Sequence, residues 1–261
     1  MIGTIWAYRG FIHGSVAREF HARYRNSLLG ALWAVLNPLA MVTIYTLIFS
    51  SVMQARLPGI EDPYAYSIYL CAGILTWNLF AEITGRGQNV FLENAALLKK
   101  LSFPRLCLPI IVILSALLNF AIVLGIFLAV LILIGRFPGL PLLGIIPVLA
   151  VQILFAVGLG ILLGVLNVFF RDVGQFFAIA LQFWFWLTPI VYPAAIIPER
   201  FRSLIELNPM VPVIGAYQRI FVQAAWPEWP TLLPITLLGG LVCILALHLF
   251  RKRSGEMVDE L

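Results

Sequence analysis

Six apolar stretches, at about 28–53, 65–86, 106–134, 141–170, 173–192 and 231–250, dictate the solvent in which this chain folds. Each approaches or exceeds the roughly 20 residues that a helix needs to cross a hydrocarbon core of about 30 Å. Hydrophobic residues make up 62% of the 261 positions and charged residues 11%, more apolar surface than a soluble globule of this length can hide. The expected fold is an all-α integral membrane protein with six transmembrane helices, because only helices or closed barrels satisfy every backbone group in lipid. Pro38, Pro109, Pro147 and Pro189 lie in or beside these stretches, where packed transmembrane helices accommodate kinks.

Basic residues orient the chain. With a cytoplasmic N-terminus, 12 of the 17 lysines and arginines fall inside (Arg9, Arg18, Arg23, Arg25, Arg86, Lys99, Lys100, Arg105, Arg171, Arg251, Lys252, Arg253). The other 5, Arg56, Arg136, Arg200, Arg202 and Arg219, fall outside. This positive-inside bias puts both termini in the cytoplasm. The net charge of +5 is thereby explained by topology and anionic headgroups, without nucleic acid as a partner. Arg9, His13, Arg18 and Glu19 interrupt the first 20 residues, which therefore lack the apolar core of a cleavable signal. Trp6, Phe11, Ile12, Val16 and Phe20 alternate with them as in an amphipathic interfacial helix, assigned to 1–27. Residues 193–230 are apolar but interrupted by Gln218 and Arg219, and are read as re-entrant helices on the outer side; a seventh crossing would put Arg251–Arg253 outside.

The cytoplasmic connection 87–105 reads as a short helix: Asn89 or Asn94 can cap it, Glu93 suits its start, Lys99 and Lys100 its end, and Pro104 stops it. There is no Walker A pattern and no Gly-Lys pair, so the chain has no phosphate-binding P-loop. Ala156, Gly160 and Gly164 instead form a small-x-x-x-small face for close helix approach. Glu82 and Asp172 are placed near cytoplasmic helix ends, with Glu82 positioned to pair with Arg86 at i+4, so no midplane relay is expected. The three histidines and three cysteines lack ligand or nucleophile spacing, so neither a metal site nor catalysis is expected.

Aromatic residues are concentrated in the fifth stretch and the first two. Trp33, Tyr45, Trp77, Phe176, Phe183, Trp184 and Trp186 are candidates to line a path, since rings can stack on the apolar faces of sugars. Packing and lipid contact remain the alternative for each.

Three stretches resemble one family. The run from Phe20 to Leu39 resembles the first-span signature of the polysaccharide-export permeases of the type-2 ABC class. Gly73–Phe80 with Asn94 and Leu98–Arg105 resembles the second span and its following loop. Asn167–Asp172, Leu187–Pro193 and Leu207–Met210 resemble the C-terminal half. The resemblance implies a homodimer of six-span subunits in the bacterial inner membrane, with two copies of an ABC ATPase docked below. That ATPase would bring ATP and Mg²⁺, with no cofactor bound by this chain. The cargo would be a polysaccharide, most simply O-antigen, on a polyprenyl pyrophosphate lipid.

By the same resemblance, 87–105 is the coupling segment, with Asn94, Leu98, Lys99, Lys100 and Phe103 as ATPase contacts. Residues 194–225 gate the exit, with Pro209, Pro212 and Tyr217 in that region. Arg18, Arg23 and Arg25 are candidates to meet the lipid pyrophosphate, membrane anchoring being the alternative. A type-2 exporter of a drug or small lipid, or a membrane enzyme of glycan-lipid assembly, are the other functions weighed.

Overall fold

A computed structural model of the chain describes residues 6–24, 32–48, 57–100 and 104–260. Among these, the regular elements are all helical. They are α1 (Arg9–Tyr24), α2 (Trp33–Thr46), α3 (Ala65–Glu93), α4 (Ala95–Lys100), α5 (Cys107–Leu133), α6 (Ile145–Phe169), α7 (Asp172–Trp186), α8 (Glu199–Glu206), α9 (Met210–Gln223), α10 (Trp229–Arg253) and α11 (Met257–Glu260). A 3₁₀ turn, Leu140–Gly144, leads into α6. Four of the described helices are long and apolar enough to cross a membrane: α3, α5, α6 with its leading turn, and α10.

Two expected boundaries change. The fifth stretch does not continue to 192, because α7 stops at Trp186 after 15 residues. That length is about 22 Å, short of a hydrocarbon core. Thr188 precedes Pro189 and Tyr192 precedes Pro193, and a residue before proline is pushed out of the helical region, so 187–193 turns instead. The second stretch does not end at 86, since α3 runs on to Glu93 and takes in the first residues of the expected 87–105 connection, in which α4 follows. Of the first stretch, only α2 and its flanking turns lie among the described residues. The 193–230 segment holds α8 and α9; the 14 residues of α9 cover only about 21 Å, too little to cross.

The long helix α3 is the axis of the bundle, packed against α2, α5, α6, α7 and α9. Lipid tails are as apolar as leucine, so burial alone does not drive helices together there; close backbone contact and polar ties do. The expected small-residue face of α6 supplies that contact. A Cβ on Gly164 would lie 2.6 Å from the Gly87 carbonyl oxygen, and one on Gly87 would lie 3.0 Å from Gly160 Cα. Gln152 adds a polar tie by donating from Nε2 to the Thr76 carbonyl at 2.8 Å. A second glycine contact joins α6 to α10: a Cβ on Gly158 would meet the Cys243 backbone nitrogen at 2.8 Å. Cys243 Sγ donates to the Leu154 carbonyl at 3.1 Å beside it.

Gly164→Ala must therefore push α3 and α6 apart, with an expected destabilisation of about 1–3 kcal/mol. Gly125→Ala, where no atom lies within 4 Å of the new Cβ, should be neutral within about 0.5 kcal/mol. Thermal unfolding of the purified variants in one detergent compares the two.

Candidate functional site

The two ends of α3 carry different machinery. At its Ala65 end, the segment 187–193 folds over the helix and is held by side chains on neighbouring elements. Tyr69 O–H lies within donating distance of the Pro189 and Tyr192 carbonyls (2.9 and 3.0 Å), and Gln218 Nε2 donates to the Pro189 carbonyl at 3.2 Å. Asn208 joins this turn to α9. Its Oδ1 accepts from Trp184 Nε1 (2.7 Å) and from the Met210 N–H (3.0 Å), while Nδ2 donates to Thr188 Oγ1 (2.9 Å). One amide thus links the end of α7, the turn after it and the start of α9.

The aromatic candidates divide by position. Trp77 is only 5% exposed and packs with Phe80, Trp184 and Phe185, and Phe155 joins the cluster through Phe80 and Trp184, ring centroids 5.2–6.3 Å apart. These separations suit edge-to-face and offset packing, so Trp77 and Trp184 support the wall from within the subunit. The opposite face of α7 is exposed. Gln175, Ile179, Gln182 and Trp186 follow one another at i, i+4, i+7 and i+11, flanked by Phe176 and by Phe183, which is 67% exposed. Trp33 on α2 is exposed as well. Tyr217 is fully buried and edges onto Phe120, whereas Pro209 and Pro212 are half-buried.

At the other end of α3, Asn167 is the corresponding hub. Its Oδ1 accepts from the Gly174 N–H (3.0 Å), and its Nδ2 donates to the Gln88 carbonyl (3.0 Å) and Asn89 Oδ1 (3.1 Å). It therefore fixes the corner between α6 and α7 onto α3. Asn94 caps backwards rather than forwards, donating from Nδ2 to the Val90 carbonyl at 2.8 Å. Its own carbonyl accepts from the Leu97 and Leu98 N–H groups, which starts α4. Leu98 is 8% exposed and packs in a core with Phe91, Val165, Phe250 and Met257. It holds α4 against α11, leaving Ala96 and Lys99 as outward residues of the short helix.

The N-terminal helix α1 packs on α5, with Val16, Phe20 and Leu118 around a small cavity. Glu19 pairs with Arg86 and accepts from Ser115 Oγ at 2.7 Å. The expected Glu82–Arg86 pair forms at 3.4 Å, and Glu82 also accepts from Asn119 Nδ2 at 3.0 Å. Arg18 is exposed and donates to Ser15 Oγ. Arg25 and Phe103 lie outside the described residues, as do the side chains of Arg23, Tyr45 and Lys100. Among the described residues, no group of histidines, cysteines or carboxylates is arranged to hold a metal ion.

The geometry is thus a helical bundle with a polar-bolted turn at one end, a short helix at the other, and an exposed aromatic-amide face between. Residues 12–222 match the ABC-2 type transporter family. The chain belongs to that family. It is similar over its full length to the O-antigen export system permease protein RfbA of Myxococcus xanthus, 31% identical over 263 residues, covering 100% of this chain and 99% of the relative. The protein of the same description from Klebsiella pneumoniae is 32% identical, covering 93% and 91%. The polysialic acid transport protein KpsM of Escherichia coli is 24% identical, covering 92% of each chain. Within this ABC-2 permease, both asparagine hubs, Asn167 and Asn208, lie in the motifs that carry the family resemblance. Their bonding was not legible in sequence, since each reaches residues 20 or more positions away. In sequence Glu19 is only a break in an apolar run, because its partners lie on α3 and α5.

Asn208→Ala leaves the Trp184 and Met210 N–H groups without acceptors, and each unpaired buried donor costs about 1–3 kcal/mol. Asn208→Asp keeps both acceptances and loses the donation to Thr188. The expected order of thermal stability is wild type, then Asp, then Ala, with altered Trp184 emission in the Ala variant, as measured by intrinsic fluorescence on heating.

Proposed function

We propose that this chain is the transmembrane subunit of an ATP-driven exporter that moves a polyprenyl-pyrophosphate-linked polysaccharide, of the O-antigen class, from cytoplasm to periplasm. The observation that carries this reading is the outward face of α7. Three large aromatics interleaved with two glutamines stand exposed on a helix whose other face packs on the subunit's own core through Leu181, Trp184 and Phe185. Rings that stack on the C–H faces of sugars, next to amides that hydrogen-bond their hydroxyls, suit a hydrated glycan passing by. The names of the relatives as O-antigen and polysialic acid transport proteins support the same cargo class.

A single bundle closes around its own core, so a path for a polymer needs a second copy. Two subunits related by a two-fold axis would set their α7 faces across from one another. Six crossings belong to this proposal, the first passing through α2 and the fifth made by α7 together with the turn 187–193, as do cytoplasmic termini. In that orientation α4, with Lys99, and α11 face the cytoplasm. The energy comes from two copies of a separate ABC ATPase, docked at α4, which bind the ATP and Mg²⁺. The short helix α4 is bound to the end of α3 through Asn94 and to α11 through Leu98, so a push there is transmitted along a rigid 29-residue helix. At the opposite end, the turn 187–193 and α8–α9, with Pro209 and Pro212, form the exit gate, bolted by Asn208.

Phe183→Ala combined with Trp186→Ala should lower surface polymer about tenfold in complemented deletion cells, equivalent to ~1.4 kcal/mol, while the ATPase still co-purifies. Undiminished polymer in those cells would overturn the assignment of this face. Lys99→Glu should have the opposite signature, with reduced ATPase co-purification and an intact melting curve. Leu98→Asp buries a charge and should lower the melting temperature as well.

A further inference from the structure

Beside α8 and α9, and sharing Pro209 and Pro212 with the proposed exit gate, lies a cavity of about 790 Å³. Its walls come from α9, through Pro212, Gly215 and Ala216, and from the first turns of α10, through Pro234, Ile235 and Leu238. The volume is that of a small-molecule site, about 300–1,000 Å³. Tyr69 is the one aromatic residue in the described lining, so the cavity offers saturated carbon and no platform of stacked rings for a sugar. Pro234 and Leu238 are exposed on α10, next to the outward Leu233, Leu237 and Leu241 of that apolar helix. The cavity is therefore continuous with surface that bilayer chains touch.

Its polar lining carries mixed charge. Arg219 pairs through Nη1 with Glu228, while its Nε is shielded from solvent and has no hydrogen-bond partner among the described residues. Glu206, also in the lining, is exposed. One cation against two carboxylates disfavours a purely anionic head, and a neutral head would leave the Arg219 Nε–H unanswered. A head carrying both a phosphate and an ammonium group satisfies both signs.

We propose that this cavity binds a zwitterionic phospholipid with a phosphoethanolamine head. Its acyl chain lies between α9 and α10, its phosphate accepts from Arg219 Nε, and its ammonium meets Glu228 and Glu206. The lipid would brace α9 against α10 whatever polymer is exported.

Native mass spectrometry of the full-length chain in detergent tests this, with phosphatidylethanolamine, phosphatidylglycerol and undecaprenyl phosphate each added separately. Phosphatidylethanolamine should be retained about tenfold better than either of the others. Gly215→Phe projects a ring from a position with no atom within 4 Å of its Cβ, and should cut that retention about tenfold. Glu228→Gln, which removes an ammonium partner without adding volume, should bring phosphatidylglycerol to parity. Equal retention of the two phospholipids by wild type overturns the proposal, as does preferential retention of undecaprenyl phosphate, which would assign the cavity to the substrate lipid. Unchanged lipid retention by Gly215→Phe and Glu228→Gln also overturns it, since the bound lipid would then be annular.

Discussion

The backbone contact between α3 and α6 is what the rest of the bundle depends on. Where the surroundings are as apolar as the side chains, association relies on how closely two helices approach and how many atoms then touch. Gly87, Gly160 and Gly164 remove the side chains that would keep the axes apart, and the Gly87 carbonyl takes the space a Cβ on residue 164 would fill. Gly158 repeats the device toward α10 on a different face of α6. One helix is thus gripped from two sides, and the aromatic cluster around Trp77 and Phe155 fills the space beside the crossing.

Polar side chains supply the directionality that glycine contacts lack. Asn167 and Asn208 occupy equivalent roles at opposite ends of α3, each answering donors or acceptors on segments that turn sharply there. In a low-dielectric setting an unanswered amide is expensive, so these bonds select one arrangement of the corners. The Glu19–Arg86–Glu82 group does the same for α1, with Ser115 and Asn119 satisfying the remaining carboxylate oxygens.

Transport by an ABC-2 permease needs rigid elements that move as units. The continuous α3, seven residues longer than its apolar stretch, joins the short helix α4 to the turn at the far end without an intervening loop. The helix α7, cut short by two prolines, gains freedom from the need to cross as one piece; its inner face packs while its outer face stays available. That outer face and the cavity next to α10 differ in chemistry, ring-rich with amides in one case and saturated with mixed charge in the other.

Composition and the length of the apolar runs determined the lipid solvent, the helical class and the absence of a P-loop, because these follow from summed hydropathy and local motifs alone. The Ala156–Gly160–Gly164 spacing likewise exposed the helix-contact face, since i, i+4 periodicity is local. The end of α7 at Trp186 and the extension of α3 to Glu93 were harder to read: apolar residues continue past the first boundary and polar ones begin before the second. Only the tertiary structure decided that Trp77, Trp184 and Leu98 face inward, that Asn94 caps the preceding helix, and that Glu19 belongs with Arg86. The reason is physical: an aromatic or leucine side chain is equally at home in lipid, a lumen or a core, and only its neighbours, tens of residues away in the chain, distinguish the three.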